Sequence, residues 1–254
     1  MSGARVAFVA GATGYAGRHV VTALRTAHVE TVAHVRPGSR AVGEWRARFE
    51  ALGARVDSTD WTAEAMRMTL GALRPDHVFA LLGTTRARAG REGLDAPYEA
   101  IDYGLTALLL TAAIAAGNAP RFTYLSALGA NAGARNPYLA VRGRLEQELR
   151  ASALPFVIAR PAFITGGDRD EFRPGERMAS VVLDGVLGTL GALGARGLRD
   201  RYASLTGGEL ARGLVATALA DRTGRVEVDA AAVRAAAARW TADHPAASRS
   251  AAAP

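Results

Sequence analysis

The apolar run Val6-Ala7-Phe8-Val9-Ala10 empties directly into glycines at 11, 14 and 17, and this junction restricts the fold more than anything else in the chain. The run has the length and residue types of a strand, and the glycines permit a sharp passage into a helix. Gly11 suits the tight turn, Gly14 lets backbone approach a pyrophosphate, and Gly17 lets the helix lie close against the strand. The N–H groups of Thr13, Gly14, Tyr15, Ala16 and Gly17 gather at the positive end of that helix, where an anion is stabilised. Placement carries the argument in a chain with 28 Gly: the triplet follows the first strand and opens the first helix.

Strand and helix patterns alternate from there on. Helix 17–28 precedes the β-branched strand 31–35, a polar loop 36–40, helix 41–52 and a short strand ending at Val56-Asp57. Helix 62–73, strand 77–82, an Ala/Leu helix 99–116, strand 121–126, helix 137–151 and strand 155–160 complete the series. Such alternation predicts an α/β fold, a doubly wound, mostly parallel sheet of the Rossmann type with right-handed crossovers. At 254 residues and 49% hydrophobic content, one domain over 1–243 is expected. Residues 161–210 then form a small substrate-side or lid region, and the Ala/Ser/Pro-rich stretch 244–254 a disordered tail.

Composition excludes several chemistries. The chain has no Cys, so disulfides, thiolate metal sites and Cys nucleophiles are out, and its five scattered His residues predict no metal centre. The formal charge of +7 comes entirely from Arg, with no Lys at all, and the basic residues form no stripe interleaved with aromatics. Nucleic-acid binding is therefore not expected. Residues 178–195 are weakly polar, but Asp184 and the repeated glycines argue against stable membrane insertion and for a helix packed on the sheet or on a partner. With the first apolar run already spent on a strand, the expected location is cytoplasmic.

In open α/β sheets ligands sit beyond the carboxyl ends of the strands. After the second strand an acidic residue would favour NAD, whereas this chain has Arg36 and Arg40, which suit a 2′-phosphate; NADP, as NADPH, is expected ahead of NAD. Asp57, ending the third strand, either accepts a hydrogen bond from the adenine amino group or is a solvated surface carboxylate. A second constellation combines Ser126, at the end of the fifth strand, with Tyr138 and Arg142 on the next helix. Asn136 suits the helix N-cap and Pro137 its first position, and the spacing of four sets Tyr138 and Arg142 on one face. A fixed cation beside a phenol favours phenolate. Ser126 is then expected to hold a substrate oxygen while Tyr138 passes the proton.

The glycine turn, Ser126 and the Tyr138–Arg142 spacing resemble the short-chain dehydrogenase/reductase superfamily. Leu82-Gly83-Thr84-Thr85-Arg86, Leu125-Ser126-Ala127-Leu128-Gly129-Ala130-Asn131, Tyr138 to Gly143, Arg160-Pro161 and Arg173-Pro174-Gly175-Glu176 are similar to its atypical, NmrA-like branch, the group containing Tat-interacting-protein oxidoreductases. That resemblance implies NADPH on the turn, Leu82, Gly83 and Thr84 bordering the cofactor, and Pro161 near the nicotinamide. It further implies reduction of a carbonyl or conjugated double bond of a small molecule, with Tyr138 as proton donor, Ser126 orienting the substrate and Arg142 holding the nicotinamide ribose. The family's Lys is Arg142 here, and either function is retained or catalysis is lost. The alternative function is an NADPH-binding sensor without turnover, with a protein partner or a second copy of the chain docked on the Arg-rich loop 86–91, the charged stretch 168–177 or the glycine-striped segment.

Overall fold

Strands in a parallel sheet are buried on both faces, which is why they read as nearly unbroken apolar runs. The computed structural model describes residues 5–84, 96, 98–162, 164–165, 204–220 and 223–245. Strands β1 (Val6–Ala10), β2 (Glu30–His34), β3 (Arg55–Asp57), β4 (His77–Ala80), β5 (Arg121–Leu125) and β6 (Phe156–Arg160) lie in one sheet. Two short strands, β7 (Ile164–Thr165) and β8 (Leu205–Thr206), pair separately, and β9 (Arg225–Asp229) returns to the main sheet beside β6. Its order is β3-β2-β1-β4-β5-β6-β9, with every pair parallel. The chain winds outward in opposite directions from β1 and β4, so the crevice between their carboxyl ends is the topological switch point.

Helices α1 (Tyr15–Thr26) and α2 (Val42–Ala51) cover one face, α3 (Ala63–Leu73) the other. Next come α4, a wide π-type segment Tyr98–Leu105 running on as an α-helix Thr106–Ala115 beside α3, and α5 (Pro137–Ala151), beside α4 on the same face. The last two, α6 (Gly207–Ala220) and α7 (Ala230–Asp243), join α1. One core therefore gathers Val20, Leu24, Phe49, Leu210, Leu214, Val233 and Trp240 under the sheet, and the second gathers Met66, Leu70, Leu109, Leu145 and Leu149 above it. By length and hydropathy α4 could cross a membrane, yet its Leu109, Leu110, Ala112 and Ala113 are buried in this second core.

The α/β expectation holds, with local differences. Helix α1 starts at Tyr15 rather than at 17, and β4 ends at Ala80, leaving Leu81 and Leu82 to run beyond it into the crevice. The sheet gains a seventh strand in β9, whose signal is the alternation Arg225-Val226-Glu227-Val228-Asp229. The expected lid falls mostly outside the described residues, as do loop 86–91, the charged stretch 168–177, the glycine-striped segment 178–195 and tail residues 246–254.

Candidate functional site

The turn between β1 and α1 has the shape the glycines predict. Gly11 takes φ +79°, and a Cβ built on it would lie 2.6 Å from the Leu81 carbonyl oxygen. At Gly17 a Cβ would lie 2.0 Å from the Gly11 oxygen, so helix and turn meet only because the side chain is absent. Gly14 is the exposed N-cap of α1, no side chain caps it, and no acidic residue occupies the first turn. The cap residue itself supplies no side-chain acceptor to the first-turn N–H groups, which lie at the positive end of the helix. Thr13 and Ala16 flank this surface half-buried, and the turn abuts the segment after β4. These features fit the pyrophosphate of a dinucleotide. The Tyr15 side chain leaves the turn: its hydroxyl donates to the Thr165 carbonyl at 3.2 Å and accepts the Gly207 N–H at 3.3 Å, tying the turn to β7 and α6.

Arg36 and Arg40 are exposed in the loop after β2. Asp57 at the end of β3 accepts from the Thr59 N–H at 3.1 Å and the Thr59 hydroxyl at 2.8 Å, so its carboxylate braces its own turn. His34 Nε2 lies 3.8 Å from it and 2.8 Å from the Thr59 carbonyl, flanked by Trp61. Burial holds the His34 imidazole below its ordinary value.

Beyond β4 and β5, Thr84, Asp102, Ser126, Arg142 and Glu146 are buried. Asn136 caps α5 by accepting the Tyr138 N–H at 2.9 Å, with Pro137 at the first position, as expected. Tyr138 is half-buried against the Tyr98 ring, and the Arg142 guanidinium lies 4.8 Å from its ring centroid. Arg142 itself is only 5% exposed. It donates to the Leu125 carbonyl, to the Leu82 carbonyl at 3.4 Å and to Asp102 Oδ1 at 2.7 Å, whose other oxygen accepts the Thr84 N–H at 2.9 Å. The guanidinium lies against Gly83, its Nη groups on the Leu82 and Leu125 carbonyls and on Asp102, and its buried Nε has no hydrogen-bond partner among the described residues. Burial pushes the Asp102 carboxyl up against the pull of Arg142. Burial also works against the Arg142 charge, yet Tyr124, Tyr138 and Asp102 hold it above its ordinary range.

Ser126 directly follows β5, as expected. The residue is 3% exposed and its hydroxyl donates to Glu146 Oε1 at 2.6 Å, so its proton is held by that carboxylate. Glu146, 1% exposed, further accepts from Arg160 at 2.8 and 2.5 Å and from Arg150 at 3.1 Å, and Glu227 balances both guanidiniums. Pro161 follows Arg160, buried, its carbonyl accepting the Leu128 N–H. The sequence reading missed Asp102 and Glu146. Their signals were an acid inside an apolar helix and the four-residue spacing of Tyr138, Arg142, Glu146 and Arg150.

Residues 11–182 match the family described as NAD(P)H-binding. The chain belongs to this NAD(P)H-binding family. A nicotinamide dinucleotide is the cofactor class that goes with it, in agreement with the turn. The protein fmp52-1, mitochondrial, of Aspergillus terreus is 31% identical over 177 residues, 68% of this chain and 72% of its own. FMP52, mitochondrial, of Debaryomyces hansenii is 33% identical over 162 residues, 63% of this chain and 67% of its own. The UDP-glucose 4-epimerase of Brucella ovis in complex with NAD superposes with a TM-score of 0.62 at 17% identity, over 89% of this chain and 78% of that one, a likeness of fold. The relatives' names correct the cytoplasmic expectation for this NAD(P)H-binding chain. The composition of residues 6–10 reports the formation of β1, not a destination.

Proposed function

We propose that this chain is an NADPH-dependent oxidoreductase of the short-chain type that reduces a carbonyl or conjugated double bond of a small molecule. The observation that carries the reading is Tyr138, the half-buried phenol at the carboxyl edge of the sheet, held 4.8 Å from a buried guanidinium near the end of β4. NADPH, when bound, supplies the hydride. Tyr138 supplies the proton that the developing alkoxide needs, and Arg142 stabilises the phenolate left behind. Gly11, Thr13, Gly14, Tyr15, Ala16 and Gly17 would hold the pyrophosphate, Arg36 and Arg40 the 2′-phosphate, and Leu82, Gly83 and Thr84 the middle of the cofactor. Ser126 has committed its proton to Glu146, so it can accept a hydrogen bond from a substrate hydroxyl but cannot donate one to a carbonyl. Tyr138→Phe is expected to cut turnover by about 10²–10⁴ while NADPH affinity holds; unchanged turnover removes Tyr138 from the chemistry.

The same commitment of Ser126 and Arg142 favours a second reading, an NADPH-binding sensor without turnover that acts through a protein partner. Cofactor oxidation across a panel of aldehydes, ketones, enones and quinones separates the two. An oxidoreductase consumes NADPH with at least one of them, whereas a sensor binds it and consumes none.

A further inference from the structure

We propose that Asp102 is a positioning residue for the nicotinamide half of the cofactor, acting through its buried ion pair with Arg142. The inference rests on the dinucleotide reading above and names a part of the site that the glycine turn does not reach. Asp102 sits in the π-type first part of α4, a widened helical geometry frequent at functional sites, and its side chain is fully buried. One carboxylate oxygen takes the Thr84 N–H at 2.9 Å and the other takes Arg142 Nη2 at 2.7 Å. Arg142 in turn donates to the Leu82 and Leu125 carbonyls, so the pair laces together the segments leaving β4 and β5. Gly83 lies directly on the pair: a Cβ there would come within 3.0 Å of Arg142 Nη2 and 3.3 Å of Asp102 Oδ1.

The location decides what the pair serves. Leu81 and Leu82 abut Gly11, so the segment held by Asp102 lines the switch-point crevice immediately beyond the phosphate turn. The adenosine half would lie on the other side of the turn, over the ends of β2 and β3, where Arg36, Arg40 and Asp57 are. A dinucleotide laid across the crevice meets the Leu82–Thr84 backbone only with its second half. Buried charges that are 2.7 Å apart and each also bonded to backbone fix geometry, because any shift strands a charge in the interior. Arg142 thus supports the cofactor wall from behind, and the ribose contact expected of it passes to the backbone that it holds.

The test compares two ligands on the full chain, NADPH and 2′,5′-ADP, which carries only the adenosine half. In Asp102→Asn a single amide oxygen replaces two carboxylate acceptors, so either Thr84 or Arg142 loses its partner. NADPH affinity is expected to fall about tenfold or more, the worth of one charged hydrogen bond, while 2′,5′-ADP binds as to the wild type. The neutral pair Asp102→Asn/Arg142→Gln, which buries no unbalanced charge, is expected to show the same split and serves where the single variant does not fold. Equal losses for the two ligands, no loss in a folded variant, or unfolding of both variants overturns the proposal and leaves the pair a purely structural brace. A wild-type chain that binds neither ligand overturns the NADPH reading instead. Unchanged turnover in Tyr138→Phe overturns only the chemistry, because the two-ligand split is read without it.

Discussion

At the β1–β2 side of the sheet's carboxyl edge lie the glycine turn and the exposed Arg36 and Arg40; at the β4–β6 side, Asp102, Ser126, Arg142 and Glu146 are buried and bonded within the protein. Arg142 pairs with Asp102, Ser126 with Glu146, and Arg160 and Arg150 with Glu146 and Glu227. In the proposed reading the first side takes the cofactor's charge, while the second spends its charges on fixing the strand ends and leaves the proton transfer to Tyr138. That reading makes affinity and chemistry separable, and substitutions on the two sides are expected to fail differently.

The largest effect is expected where a buried charge loses its partner. Asp102→Ala strands Arg142 in the interior and should cost about 3–5 kcal/mol, read as a fall in the midpoint of denaturant unfolding. A loss below about 1 kcal/mol would mean that the β4–β6 side does not depend on its ion pairs. Gly17→Ala attacks the other side by forcing a methyl to within 2.0 Å of the Gly11 oxygen. About 1–3 kcal/mol of overpacking should accompany loss of NADPH binding, and retained binding would show that the turn can open without harm. Arg36→Asp should sharpen the contrast, lowering NADPH affinity roughly ten- to hundredfold while NADH affinity stays put. Equal NADPH and NADH affinities in the wild type would defeat the NADP assignment.

The smallest effect concerns His34. Burial depresses its folded value below the ordinary 6.5, so the unfolded chain takes up a proton first as pH falls. Its contribution is intact above 6.5 and is lost as pH drops from there toward the folded value, at no more than about 1.4 kcal/mol per pH unit. Unfolding midpoints measured on both sides of 6.5 for wild type and His34→Phe should differ in slope; parallel curves would place the titration elsewhere.

Much of the fold was legible because it follows local rules. The alternation of apolar runs and helical segments, the glycine turn and the Asn136-Pro137 start of α5 each depend on residues close together in sequence. Beyond residue 160 the chain was harder to read, since β9 is half-polar and its place beside β6 depends on pairing across 69 positions. The sequence named candidate residues but not the partners they take in the fold. Tyr138 and Arg142 share a face by spacing alone, whereas the link from Arg142 to Asp102 spans 40 residues and that from Ser126 to Glu146 spans 20.

The sequence by itself determined a dinucleotide-binding α/β chain, because glycine stereochemistry, helix capping and apolar periodicity act over a few residues and leave the same mark wherever they occur. Only the tertiary structure decided which partners Ser126 and Arg142 take. A buried charge or hydroxyl must find a partner, and which one it finds depends on what the packed sheet brings within 3 Å of it.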